Sequence, residues 1–275
     1  MKTNLKYAAL ALTGLFSIQC LSAEEVKPLK ALLITGGCCH DYKAQKDILK
    51  KGIEERANII VDQMHSDKSD TKPDIAIYGI PEYAKGYDIV IHDECAAGIT
   101  DPAIIAGVLK PHLDGIPAVN LHCAMHSYRF GNFKQKVEPT ADNGKWYEYI
   151  GLQTTGHGAQ LPIDIAFVDK ENPVTKTLAD WTTTKEELYN NIAVHDGAHV
   201  LAKGTQGKDE TVVVWTNLYG PKKTRVFSTT IGHNNETVQD ARYLDLVTRG
   251  VLWACEKIDE KGNIAAGYEP KVEKK

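Results

Sequence analysis

Apolar and polar positions recur along this chain with two periods, and the period separates strand from helix. KALLITGG (30–37) is an unbroken apolar run closed by two glycines, as expected of a strand buried on both faces. YKAQKDILKKGIEERA (42–57) follows, and Ile48, Leu49 and Ile53 give it the stripe of an amphipathic helix. NIIVDQM (58–64) and DIVIHDE (88–94) read as the next two strands. DPAIIAGVLKPHLDG (101–115) is predicted helical, with Asp101 as N-cap, Pro102 at the first helical position and Gly115 at the end. IPAVNLH (116–122) is a fourth strand. Strands alternating with helices at this spacing imply parallel βαβ units and a doubly wound α/β sheet.

After Arg129 the pattern dissolves. FGNFKQKVEPTADNGKWYEYIG has aromatics and turn residues without a period, and is read as an irregular insertion. IDIAFVD (163–169), LYNNIAV (188–194), HVLAKGT (199–205), TVVVWTN (211–217) and RVFSTTIGH (225–233) then follow as short strands, an antiparallel extension of the sheet. ETVQDARYLDLVTRGVLWACEK (236–257) is predicted as one closing helix, and the polar tail from residue 258 to 275 is expected to fray. One α/β domain over 30–257 results.

The N-terminus changes the picture of location. Two lysines, an apolar run from Tyr7 to Ile18 and then small residues read as a secretory signal peptide over 1–23, too short for a membrane span. The protein is therefore expected to be exported, periplasmic or secreted. Lipoprotein anchoring through Cys20 is the alternative, although Gln19 departs from the small residue such a signal wants. Lys and Arg are scattered and the net charge is −4, which argues against nucleic acid as a partner. Five cysteines follow the leader, an odd number that leaves at least one free. Adjacent Cys38 and Cys39 are not expected to bond to each other, no CxxC pair suggests a thiolate zinc site, and Cys95 and Cys255 read as inert core thiols.

Chemistry is expected outside the carboxyl ends of the strands. Those ends carry His40 and Asp41, then His92, Asp93 and Glu94, then His122, Cys123 and His126, and finally His233. Each has a plain structural reading beside the functional one: His122 as a core histidine, Asp41 as a helix cap, His92 to Glu94 as solvated loop, His126 and Arg129 on a wet helix face. His65, His112, His195 and His199 are read as surface or packing residues. A nucleophile on a strand-to-helix elbow needs small neighbours two residues away on either side. Cys123 has Leu121 and Met125 there, whereas His122 has Asn120 and Ala124. The sequence thus favours His122 at the tip and Cys123 turned inward.

LLITGGCCHDY, PAVNLHCA, GLQTTGHGAQLPIDIAFVDKENPVTKTL, EELY and RVFSTTIGH together resemble the trehalose-utilisation ThuA-like family, over most of the chain from Lys30 to Cys255. The resemblance implies a flavodoxin-like, class I glutamine amidotransferase-like α/β sandwich with a mostly parallel sheet, and a role in disaccharide or keto-sugar catabolism. It carries over His40, Asp41, His122, His157, Glu187 and His233 as catalytic candidates, with Tyr189 beside them. Glu186 stands where the family more often has aspartate, and Asn172 where it more often has histidine.

Three readings compete. In the first, the histidines and a carboxylate carry acid–base chemistry on a small carbohydrate, with Asp93, Glu94, His126, Arg129 and Tyr189 contacting it and a divalent metal such as zinc held by His40, His122 and His157. The second is a non-catalytic sugar-binding module using Trp146, Tyr147, Tyr149, Trp215 and Tyr219. The third is an amidotransferase-like cysteine hydrolase with Cys123, His233 and Glu236 as nucleophile, base and orienter. A homo-oligomer is compatible with all three.

Overall fold

A computed structural model describes residues 26–270; the expected signal peptide and Cys20 lie outside them. The first half follows the predicted alternation: β1 (Leu29–Gly37), α1 (Tyr42–Glu54), β2 (Ile59–Ser66), β3 (Ile89–Cys95), α2 (Pro102–Leu113) and β4 (Ala118–Leu121). Asp41 and Asp101 cap the two helices, each accepting a backbone N–H of the first turn. The insertion contains a short helix, α3 (Lys145–Ile150). Seven further strands follow: β5 (Leu152–Leu161), β6 (Asp164–Phe167), β7 (Trp181–Thr182), β8 (Glu186–Val194), β9 (His199–Gln206), β10 (Asp209–Tyr219) and β11 (Thr224–Thr229).

Nine strands form one sheet in the order β2-β1-β3-β4-β11-β10-β9-β6-β7. From β2 to β11 neighbours run parallel, in the 2-1-3-4-5 order of flavodoxin-like folds, and from β10 onward they run antiparallel. Two expectations are corrected here. RVFSTTIGH belongs to the parallel part, since β11 lies beside β4. LYNNIAV is not in the main sheet: β8 pairs antiparallel with β5 in a separate ribbon.

The closing helix is also two pieces, α4 (Asn235–Val238) and α5 (Ala241–Ala254). Asp240 breaks the pattern by capping the second piece, accepting from Arg242 N–H. Alternate strand residues feed two cores: Leu33, Ile91 and Val119 pack with α1 and α5, while Leu32, Val90 and Ala118 pack with α2 and α3. The tail expected to fray is held as far as Tyr268, whose carbonyl accepts from Asn58 N–H at 3.0 Å, with Asn58 Nδ2 donating to Gly267 O at 2.8 Å.

The aromatics proposed as a sugar platform are core residues. Trp146, Tyr147, Tyr149 and Trp215 are fully buried. Trp146 Nε1 donates to Ala124 O at 2.9 Å and Trp215 Nε1 to Ile150 O at 2.6 Å, so both polar edges are satisfied inside the fold. They pack the insertion onto the sheet and present no ring to solvent.

Candidate functional site

At the carboxyl end of β4 the chain must turn sharply, and His122 makes the turn with φ of +40°, a region costly for a side chain with a Cβ. His122 therefore sits at the elbow tip and Cys123 points inward, as the neighbour sizes predict. His122 Nδ1 donates to Thr230 O at 2.6 Å beyond β11, which leaves Nε2 directed toward Glu187 Oε2, 3.5 Å away. That Nε2 is buried and has no hydrogen-bond partner.

His40 follows β1. Its Nδ1 donates to His233 O at 3.1 Å, and Gln45 Nε2 from α1 donates to the same carbonyl at 3.0 Å. The ring centroids of His40 and His122 are 4.7 Å apart, and those of His40 and His233 are 4.8 Å apart. Ligand-capable nitrogens of His40, His122 and His233 all lie within 4.8 Å of one another. Three strand ends distant in sequence thus deliver imidazoles to one point.

The β5–β8 ribbon closes the site from the other side. Glu187 Oε1 is 3.3 Å from His233 Nδ1, and its Oε2 is 3.5 Å from both His122 Nε2 and His157 Nε2. Gln160 Nε2 donates to Oε1 at 3.1 Å. Burial alone would push the Glu187 carboxyl up, but His122 and His233 outweigh it and hold the group well below the usual carboxylate range. His233 is correspondingly raised, chiefly by Glu187. Burial, and then the neighbouring charge of His122, push His40 down to about 3, so its ring is neutral at physiological pH.

A cavity of about 410 Å³ opens here, lined by Cys38, His40, His126, Arg129, His157 and Glu187 among others. That volume suits a small ligand. A larger cavity, about 750 Å³, opens at the opposite ends of the strands beside Lys30, Asp88 and Thr224, and no histidine lines it. The smaller one lies at the carboxyl ends of the parallel strands, where open α/β sheets place their ligands.

Most expected site residues arrive together. His126 stacks on Tyr189 with centroids 4.3 Å apart, and His157 lies against the same ring at 6.0 Å. Arg129 lines the cavity, its guanidinium 4.4 Å from the Phe133 ring. Asp41 is at the edge, capping α1 and accepting from Asn235 Nδ2 at 2.8 Å. The three imidazoles that converge are His40, His122 and His233; His157, expected together with His40 and His122, lies on the outer side of Glu187.

Asp93 and Glu94 are corrected, since neither lines the cavity. Both lie inside β3 and are buried. Period two puts His92 and Glu94 on the α2–α3 face, where His92 Nδ1 meets Glu94 Oε1 at 2.8 Å and Tyr128 OH donates to that oxygen at 2.7 Å. Burial, reinforced by Glu94, pushes the Asp93 carboxyl up.

The cysteine triad does not assemble. Cys123 Sγ donates to Cys95 Sγ at 3.0 Å, His233 faces Glu187, and Glu236 is exposed in the first turn of α4. The hydrogen bond to Cys95, together with burial, raises the Cys123 thiol, the wrong direction for a nucleophile. The expectation for Cys38 and Cys39 is also corrected: they form a disulfide with each other.

Two positioning residues were missed. Glu186 is fully buried, and its carboxylate accepts N–H of Gly232 at 3.2 Å and of His233 at 3.0 Å. Gln45, also buried, fixes the His233 carbonyl. A polar residue on an apolar helix stripe was the available signal for Gln45; Glu186 was visible only as half of an acidic pair. Asn172 lies elsewhere, its side chain accepting Val174 N–H at 3.0 Å in a turn.

The solved structures most usefully compared are two ThuA-like proteins. One, from Parabacteroides merdae, superposes with a TM-score of 0.65 at 21% identity over 90% of this chain and 94% of its own. The other, from Bacteroides uniformis, gives 0.58 at 16% identity over 88% and 98%. At these identities the likeness is one of fold. No curated protein matches the sequence. The family model described as ThuA, trehalose utilisation, matches residues 30–254, most of the chain, and the protein belongs to the ThuA family.

Proposed function

We propose that this protein is an exported carbohydrate-catabolism enzyme acting on a disaccharide, glycoside or keto-sugar by histidine and carboxylate acid–base chemistry. The observation that carries the reading is the convergence of His40, His122 and His233 on the Glu187 carboxylate. The family's trehalose-utilisation description supports the substrate class, and the apolar leader supports export.

Two histidines of the cluster take different roles. His233, raised by Glu187, holds its proton and serves as the acid toward a departing or carbonyl oxygen. His122, whose Nδ1 is taken up by Thr230 O, turns its Nε2 toward Glu187 and serves as the base toward a hydroxyl or a carbon beside a keto group. Glu187 orients both rings. His157 and Arg129, at the cavity mouth, bind sugar hydroxyls, and Tyr189 holds His126 and His157 in place by ring contact.

The donor set also fits a divalent metal such as zinc. His122 Nε2 and His233 Nδ1 are buried without hydrogen-bond partners, the second nitrogens of His40 and His122 are fixed by backbone carbonyls, and Glu187 adds a carboxylate. His40, His122, His233 and Glu187 would hold it, and the ion would supply Lewis-acid polarisation of a substrate oxygen.

The test is turnover of a panel of disaccharides, glycosides and their keto derivatives, together with metal analysis of the purified protein. Conversion of one substrate, lost about 100-fold or more in His122→Ala, is expected. Binding of a sugar that is recovered unchanged after long incubation would overturn the enzyme reading in favour of a binding module.

A further inference from the structure

β1 ends in two glycines with φ of +130° and +110° at Gly36 and Gly37. A Cβ on Gly37 would run into the Cys95 carbonyl oxygen, so glycine there allows the first loop to lie directly on the end of β3. The close approach brings Cys38 Sγ to 3.5 Å from Cys95 Sγ, and Cys123 Sγ lies 3.0 Å beyond. Cys38 is bonded to Cys39. Four sulfurs from three strand ends therefore cluster, from exposed Cys39 and half-buried Cys38 to buried Cys95 and Cys123, with the sulfurs of Cys38, Cys39 and Cys95 all within 4.8 Å of one another. The acid–base chemistry above uses none of them.

We propose that this cluster is a thiol–disulfide exchange relay with its solvent end at Cys39. Cys95 Sγ, as thiolate, attacks Cys38 Sγ; the Cys95–Cys38 bond forms as the Cys38–Cys39 bond breaks. The electron pair leaves on Cys39 Sγ, which takes a proton from water in place of the one Cys95 released. The step is an isomerisation, so no outside oxidant or reductant enters.

Local chemistry favours Cys95 as attacker. The Cys123 S–H donates to it, and the Ala97 N–H and the Arg129 charge add to that, so the Cys95 thiol is lowered despite burial. The relay also adjoins the histidine site: Cys39 precedes His40, Cys123 follows His122, and all four cysteines line the same cavity. Moving the disulfide inward unlinks Cys39, the residue next to His40.

Peptide mapping of the full chain tests this without any assay of turnover. The protein is held between pH 5 and pH 8.5, quenched in acid with denaturant, alkylated and digested without reduction. The expected result is a cross-link joining the peptide with Cys38 and Cys39 to the peptide with Cys95, increasing with pH and lost in Cys95→Ser. A wild-type protein that shows only the Cys38–Cys39 bond or free thiols at every pH would overturn the relay, and so would a cross-link that persists in Cys95→Ser.

Discussion

The Glu186 carboxylate accepts the backbone N–H of His233 at 3.0 Å, while the next residue, Glu187, faces the His233 ring. Neighbours on a strand point to opposite faces, so one acidic pair on β8 grips both the backbone and the side chain of a single loop. Glu186→Ala would strand the buried N–H groups of Gly232 and His233. A loss of about 2 kcal/mol in urea unfolding follows, with a smaller loss in Glu186→Gln, which keeps one acceptor.

Removing the carboxylate charge acts on the chemistry instead. Glu187→Gln keeps the shape and still accepts from Gln160, but it no longer supports a proton on His233. Turnover should fall by roughly 100-fold or more, with folding little affected. Rates on the substrate found by the panel, alongside a melting curve, separate the two effects.

Gly37→Ala should be costly. Its φ of +110° is strained for any residue with a Cβ, and the atom met is backbone, the Cys95 carbonyl, which has no rotamer to yield. A fall in Tm of roughly 5 °C or more is expected by calorimetry. Gly107→Ala, in the middle of α2 with nothing near the added atom, is the control and should be neutral or stabilising.

Acid should destabilise the fold before its carboxylates titrate. His112 is buried, with its ring against His92, Tyr83 OH and Tyr149, and burial followed by the His92 charge pushes it down to about 3 from 6.5. The unfolded chain takes up the proton first, so this stability is fully present above pH 6.5 and is lost as pH falls from 6.5 toward 3. At pH 5.5 one such group accounts for about 1.4 kcal/mol. Urea midpoints of wild type and His112→Asn should differ in pH slope across that window, with the wild type steeper.

The parallel half of the fold was legible because its apolar runs are long and its caps, Asp41 and Asp101, are unambiguous. The elbow was legible from the sizes of Asn120 and Ala124 around His122. Other features lay outside any local pattern. LQTTGHGAQL has no strand period, and it becomes β5 only by pairing with β8, which is how His157 reaches Glu187. Asp93 and Glu94 look like loop residues, but β3 continues four residues past its last aliphatic, Ile91, to Cys95, so they are buried. The split between α4 and α5 rests on Asp240 capping in mid-pattern. Which histidines meet was a question of tertiary distance, and His233 displaced His157 from the inner position for that reason alone.

Imidazole titration by NMR, on protein treated with chelator, tests the convergence most directly. The account predicts that His233 titrates above the ordinary histidine value, that His40 stays neutral well into acid, and that Glu187→Gln lowers His233. Independent titration of His40 and His233 near 6.5, unmoved by Glu187→Gln, would contradict it.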